Sequence, residues 1–154
     1  MLSCSVILVT GATGLVGAAT VVQLLELGKN VRAFCRRPGR AKDHPTLKTW
    51  VNHENLDWFE GDITELNDLE NALEGVTHVI HAAAVVSYWP PKSAEMFRIN
   101  IEGTANVVNV ALQLGGIRMC HVSSIAAVGK AKNLDHVDEE SEWIDSPLNT
   151  HYAI

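Results

Sequence analysis

A glycine-rich turn near the N-terminus constrains the fold of this chain more than any other feature of its sequence. Residues 5–10 form an apolar run of strand length, residues 10–17 read Thr-Gly-Ala-Thr-Gly-Leu-Val-Gly, and residues 15–27 have helical periodicity. Gly11 permits the tight turn, Gly14 lets the backbone approach a pyrophosphate, and Gly17 lets helix and strand pack closely. A glycine turn without a ligand is the alternative. The strand, the spacing and the helix together disfavour it.

The helix after this turn begins with unsatisfied N–H groups and the positive end of its dipole, and both favour a bound anion. The segment therefore predicts a dinucleotide site. The contacts expected from it are Thr10, Gly11, Thr13, Gly14, Leu15, Val16 and Gly17.

Apolar runs and helical patterns alternate along the rest of the chain. Further strands are predicted at residues 30–35, 56–60, 78–82 and 117–123, and further helices at residues 65–73 and 93–114. Thr64 is expected to cap the second helix, Gly28 and Gly75 to end the first two helices, and Ser93 to start the third. The basic segment after residue 35 and the acidic stretch 125–150 are predicted to be irregular. Continuous apolar strands joined by amphipathic helices predict the doubly wound α/β class.

Composition and charge exclude several classes of protein. The net charge of −6 disfavours a nucleic-acid partner, because phosphate binding needs a basic face. The apolar runs are too short to cross a bilayer and the N-terminus reads as a buried strand, so a cytoplasmic protein with no membrane partner is expected. Cys4, Cys35 and Cys120 are interpreted as small buried hydrophobes. The histidines do not cluster with cysteines at ligand spacing, and no metal site is predicted.

The motif Thr-Gly-x-x-Gly-x-x-Gly resembles the signature of extended short-chain dehydrogenase/reductases, and further segments agree with that family across essentially the whole chain. Asp62 matches the aspartate that touches the adenine, although it could be only a turn residue. Residues 81–84, His-Ala-Ala-Ala, are similar to the family's cofactor-lining element, and His81 is given no catalytic role. The resemblance implies further cofactor contacts from Asp62, Ile63, Ala82, Ala83, Ala84 and Ser123.

The same resemblance supplies candidate catalytic residues. Ser124 aligns with the family's catalytic serine, and Tyr152 with the tyrosine of Tyr-x-x-x-Lys. Asn100 matches the asparagine that helps to position the active site, although it could equally be a packing residue with a locally satisfied amide. The family's lysine lowers the pKa of the phenol, which is otherwise near 10, and it would be residue 156. We expect a Rossmann domain over residues 1–154, truncated after about five strands, to be an inactive fragment of a longer reductase with one bare sheet edge.

The residues after the second strand favour one cofactor. NAD-preferring units place an acid there to bind the ribose hydroxyls, whereas this chain has Cys35 and Arg36. Arg36 and Arg37 are expected to bind the 2′-phosphate of NADP. NADP is therefore the predicted cofactor, with NAD as the alternative.

Three functional hypotheses remain open. The first is an oxidoreductase similar to dihydroflavonol reductases and hydroxysteroid dehydrogenases, with a small-molecule substrate. The aromatic segment 88–91 favours it weakly, because an aromatic flap suits an apolar substrate, but that segment could equally cap the core. The second is a nucleotide-sugar epimerase or dehydratase, and the third is a non-catalytic dinucleotide-binding module. A homodimer through the long helix at 93–114 and the helix that begins near Tyr152 is also expected from the resemblance.

Overall fold

Five parallel strands form one sheet at the centre of the protein. The computed structural model describes residues 5–87, 89–129, 138, 140–141, 143–147, 149–150 and 152–153. The strands are β1 (Val6–Thr10), β2 (Asn30–Cys35), β3 (Leu56–Glu60), β4 (Val76–His81) and β5 (Arg118–His121). Their order is β3-β2-β1-β4-β5, and every neighbouring pair is parallel. The predicted doubly wound α/β fold is confirmed. Its topological switch point lies between β1 and β4, where such folds bind ligands.

Helices connect the strands. They are α1 (Leu15–Glu26), α2 (Leu66–Leu73), α3 (Ser93–Phe97) and α4 (Thr104–Leu114). A π-helical segment, Arg98–Gly103, joins α3 to α4, so the long helix predicted at 93–114 is present but wound differently at its centre. Short 3₁₀ helices occur at Pro38–Asp43, Pro90–Lys92 and Ile125–Val128. The first and last of these fall in segments that were predicted to be irregular.

The two faces of the sheet carry separate apolar cores, because successive side chains of a strand point to opposite faces. Leu8 packs in the core with α2 and α4, and Val9 packs in the core with α1. Leu8, Val9 and Phe34 are all at most 1% exposed. Each such side chain contributes about 1.5–3 kcal/mol by burial. These cores hold the carboxyl ends of the strands, and the loops that follow them, in fixed positions.

The structure corrects one predicted helix boundary. Thr64 does not cap α2, because its N–H and its hydroxyl both donate to Asp62 Oδ1, at 3.0 and 2.9 Å. Glu65 occupies the N-cap position without a side-chain hydrogen bond. Gly28 and Gly75 follow α1 and α2 with φ of +67° and +73°, which confirms the predicted helix ends.

The edge strand β5 corrects a second prediction. Cys35 is buried as expected, but Cys120 is exposed because β5 pairs only with β4 among the described residues. Cys4 lies outside the described residues. Leu112 of α4 and Ile125, which follows β5, are 73% and 90% exposed. Within the described ranges, no helix has the length and apolar character needed to cross a bilayer.

Candidate functional site

The glycine turn after β1 brings three backbone segments into close approach. Gly11 has a φ of +64°, and a Cβ on it would lie 2.8 Å from the Ala82 oxygen and from the Ala83 backbone. A Cβ on Gly17 would collide with the carbonyl oxygen of Gly11. Gly14 donates its N–H to that same oxygen at 2.8 Å. The turn therefore presents bare backbone, which is what close approach to a phosphate group requires.

The start of α1 is suited to an anion. Gly14 is its N-cap and offers no side chain, and the first turn contains no acidic residue. The first N–H groups of a helix have no partner within the helix and carry a partial positive charge. Leu15 and Val16, the first two residues of α1, are 87% and 49% exposed.

A cleft of about 790 Å³ lies over the carboxyl ends of β1 to β4. This volume is within the range of cofactor sites. The predicted contacts that line it are Gly11, Thr13, Gly14, Arg36, Arg37, Asp62, Ile63, Ala82, Ala83 and Ala84. Leu15, Val16 and Gly17 lie on α1 beside the cleft, and Ser123 lines a neighbouring pocket instead. The bare glycine turn, the helix start and the size of the cleft together fit a dinucleotide.

The end of β2 has a basic rim over a buried thiol. Arg36 and Arg37 are exposed and line the cleft, as does Arg40 from the first 3₁₀ helix. Burial raises the pKa of the Cys35 thiol, with a smaller contribution in the same direction from the Glu60 carboxylate. Hydrogen bonds from the backbone of Arg37 and from Thr13 oppose that rise.

Glu60 and Arg40 are cleft residues that the sequence interpretation missed. Glu60 is the register partner of Cys35 on β3, so the two side chains leave the sheet on the same face. The available signal was position alone: Glu60 ends an apolar strand, and Arg40 stands four residues after Arg36.

Asp62 lies in the cleft and has the turn role that was the alternative for it. It lines the cleft, and its Oδ1 accepts the two hydrogen bonds from Thr64 that shape the turn. Its own N–H donates to Asp68 Oδ2 at 2.9 Å. Hydrogen bonds within the chain thus shape this turn.

Thr10 and His81 form a buried pair behind the glycine turn. They are 0% and 1% exposed, and Thr10 Oγ1 lies 2.7 Å from His81 Nδ1. Burial lowers the pKa of His81 to about 4, with a smaller effect from His121. Thr10 was predicted as a cofactor contact, whereas its side chain faces the interior and supports the turn from behind.

A second pocket, of about 180 Å³, brings the three candidate catalytic residues together. Asn100, Ser124 and Tyr152 all line it, and it shares Ala83 and Ala84 with the large cleft. Met96, Phe97 and Ile101 give it an apolar wall, and Thr104 and His121 are polar members that the sequence interpretation did not identify. Trp89 of the aromatic segment is 67% exposed and does not cap the core, and Tyr88 lies outside the described residues.

The polar side chains of Asn100 and Ser124 in this pocket have different hydrogen-bond partners. Asn100 Oδ1 accepts from the Val85 N–H at 2.8 Å, and its Nδ2 donates to the Val85 oxygen at 2.9 Å. This amide fixes the segment after β4, as the packing alternative proposed. Ser124 Oγ accepts from the Ala126 N–H at 3.2 Å, so its oxygen is held at the start of the last 3₁₀ helix.

A doubly wound parallel sheet with a glycine turn and a cleft at its switch point defines a dinucleotide-binding α/β protein. The sequence profile of the NAD dependent epimerase/dehydratase family matches residues 7–154. The chain belongs to this family. The extended short-chain dehydrogenase/reductase resemblance seen in the motifs is confirmed.

Individual relatives agree with this placement. The chain is 35% identical over 131 residues to a putative dihydroflavonol 4-reductase of Synechocystis, which covers 85% of the chain and 36% of the relative. It is 34% identical over 139 residues to a 3-beta-hydroxysteroid dehydrogenase of Mycolicibacterium neoaurum, and this match covers 86% of the chain and 36% of the relative. A short-chain dehydrogenase/reductase superfamily protein of Agrobacterium tumefaciens, solved with NAD, has a TM-score of 0.75 at 28% identity, covering 96% and 40%. The chain thus spans little more than a third of the curated relatives it matches.

Proposed function

We propose that this chain is the cofactor-binding and serine-bearing part of an NADP-dependent oxidoreductase that interconverts a carbonyl and an alcohol. The observation that carries the proposal is the pocket in which Ser124, Tyr152 and Asn100 meet, adjoining the dinucleotide cleft at Ala83 and Ala84. Relatives named as reductases and dehydrogenases support the reaction class.

The cofactor preference follows from charge. A bound nicotinamide dinucleotide supplies or accepts the hydride. Arg36 and Arg37 would hold its 2′-phosphate through charge-assisted hydrogen bonds, and they stand directly after β2, where an NAD-preferring unit places an acid for the ribose. The glycine turn and the start of α1 would hold the pyrophosphate.

Ser124 and Tyr152 in the second pocket would act on the substrate. Ser124, whose oxygen already accepts the Ala126 N–H, would donate its proton to the reacting oxygen of the substrate. Tyr152 would exchange a proton with that oxygen, which requires a phenol pKa below its usual value near 10. The resemblance implies a lysine at position 156 for this purpose. We therefore assign turnover to a longer chain that carries this lysine.

The apolar wall of the pocket favours an apolar small-molecule substrate. Met96, Phe97 and Ile101 contribute this wall, and desolvation by such residues strengthens the polar contacts at the reacting oxygen.

Replacing Ser124 by alanine tests the assignment in a chain that includes residue 156. We expect kcat to fall about 10²- to 10⁴-fold while NADPH binding stays within about twofold. Ser5→Ala is the matched control, because Ser5 binds Thr77 at the amino end of the sheet, away from both pockets. Unchanged turnover in Ser124→Ala would remove the proposed catalytic role.

The second candidate is an epimerase or dehydratase, which the family description itself favours. Such an enzyme regenerates its cofactor within each cycle, whereas a reductase releases it oxidised. Retention of the dinucleotide through turnover, measured by rapid gel filtration, would favour the second candidate. Stoichiometric release would favour the first. A chain that carries residue 156, binds NADPH and turns over no carbonyl or sugar-nucleotide substrate would favour the binding module.

A further inference from the structure

Three contacts of the Thr10 hydroxyl account for its one proton and both of its lone pairs. The backbone N–H groups of Ala82 and Ala83 both donate to Oγ1, each at 3.2 Å. A hydroxyl offers one proton and two lone pairs. With both lone pairs occupied, the remaining contact, 2.7 Å from Oγ1 to His81 Nδ1, must be made by the hydroxyl proton.

This assignment fixes the state of His81. Nδ1 accepts a hydrogen bond and so carries no proton, which leaves the single proton of the neutral ring on Nε2. Nε2 lies 3.0 Å from Thr104 Oγ1 and donates to it. The ring is 1% exposed, and its lowered pKa agrees with a neutral imidazole.

The resulting chain of hydrogen bonds connects three elements of the site. Thr10 directly precedes Gly11, Ala82 and Ala83 follow β4 and line the cleft, and Thr104 is the first residue of α4. A Cβ on Gly11 would lie only 2.8 Å from the backbone of Ala83. The turn and the Ala82–Ala83 backbone are therefore in contact, and their separation sets the shape of the cleft there.

We propose that His81 is a positioning residue whose Nε2–H tautomer holds the glycine turn against the Ala82–Ala83 segment in the geometry that receives the dinucleotide. This inference rests on the proposed function of the cleft as a dinucleotide site. A histidine suits the role because its two nitrogens lie on opposite sides of a rigid ring. One can accept from β1 while the other donates to α4.

The tautomer is tested directly by nitrogen NMR of the chain labelled with ¹⁵N-histidine, at neutral pH without cofactor. Here the expected result is an unprotonated Nδ1 and a protonated Nε2 for His81, assigned by its loss in His81→Phe or His81→Asn. A protonated Nδ1 would overturn the inference, whatever the chain binds.

The positioning role is tested by NADPH fluorescence titration of four variants. His81→Phe keeps a flat ring without an acceptor, and Thr10→Val keeps the shape of threonine without the hydroxyl. We expect each to weaken NADPH binding about tenfold, the effect of losing one buried neutral hydrogen bond. Thr10→Ser retains the hydroxyl and is expected within about threefold of wild type. The double variant His81→Phe/Thr10→Val is expected to lose little more than either single variant.

The outcomes separate this inference from the proposed function. A wild-type chain that binds neither NADPH nor NADH would refute the dinucleotide site, and this positioning role with it. A wild type that binds NADPH, with Thr10→Val and His81→Phe binding equally well, would overturn the positioning role alone. If His81→Phe does not fold, the comparison of Thr10→Val with Thr10→Ser decides the question.

Discussion

Replacing Gly11 by alanine perturbs the glycine turn in two ways whose magnitudes can be separated. Its φ of +64° penalises any Cβ, by about 1–2 kcal/mol. The added Cβ would also lie 2.8 Å from the backbone of Ala82 and Ala83, and such overpacking costs typically about 1–3 kcal/mol. The free energy of unfolding is therefore expected to fall by about 2–5 kcal/mol.

Gly28→Ala is the matched control for this variant. Gly28 has nearly the same φ, +67°, but a Cβ there meets nothing within 4 Å. It follows the opposite end of α1 from the cleft. Only the conformational penalty of about 1–2 kcal/mol is expected, with NADPH binding unchanged.

Urea unfolding of the three proteins, with m-values compared, gives the stability difference. NADPH fluorescence titration gives the effect on the cleft, where we expect Gly11→Ala to bind at least about tenfold more weakly because the Ala82–Ala83 segment must move. Equal destabilisation of the two variants, with equal NADPH affinity, would refute the close approach of these segments as the reason for glycine at position 11.

Three further predictions concern charged and titratable groups. Because the pKa of His81 is about 4 in the folded chain and near 6.5 unfolded, the unfolded state alone takes up the proton in this range. The free energy of unfolding should fall by up to about 3 kcal/mol from pH 6.5 to 4, and His81→Phe should remove this part of the pH dependence in urea titrations. A double Arg36→Ala/Arg37→Ala variant should weaken NADPH binding about 10- to 100-fold and NADH binding less than about threefold by calorimetry, and equal losses would argue against a 2′-phosphate contact. Glu60→Gln removes a negative charge beside Cys35 and should strengthen NADPH binding by about two- to fivefold at low salt; a weaker complex would indicate a direct ligand contact from Glu60.

Much of the fold followed from the periodicity of the sequence. Strands β2 and β3 have the bounds that their apolar runs predicted. Glycine or polar residues stand at the ends of these runs and mark where each strand begins and ends. The parallel direction of the strands followed from the alternation of strands with helices. The bounds of two strands differ from the predictions 78–82 and 117–123, because the structure has β4 at Val76–His81 and β5 at Arg118–His121.

The π-helical segment Arg98–Gly103 could not be predicted in the same way. A Cβ on Gly103 would lie 2.6 Å from Ile63, and Asn100 is hydrogen-bonded to Val85. Both residues of this segment therefore make contacts with residues outside the helix, which its own periodicity does not predict. The missed cap at Thr64 has a local cause instead. Its hydroxyl donates to the carboxylate of Asp62, two residues before it, at 2.9 Å.

Some residues of the candidate site could be predicted from local sequence motifs, and others could not. The glycine turn, Ser124 and Tyr152 stand in motifs that can be read from neighbouring residues. The hydrogen bond between Thr10 and His81 joins residues 71 positions apart, and Thr104 and His121 enter the site only through the packing of α4 and β5. No local pattern records such pairs.

Calorimetric titration of the wild-type chain with NADPH and with NADH tests the central claim most directly. The account predicts one site per chain, with NADPH bound at least about tenfold more tightly than NADH. Binding of neither dinucleotide at concentrations up to about 1 mM would contradict the assignment of the cleft, and tighter binding of NADH would contradict the role given to Arg36 and Arg37.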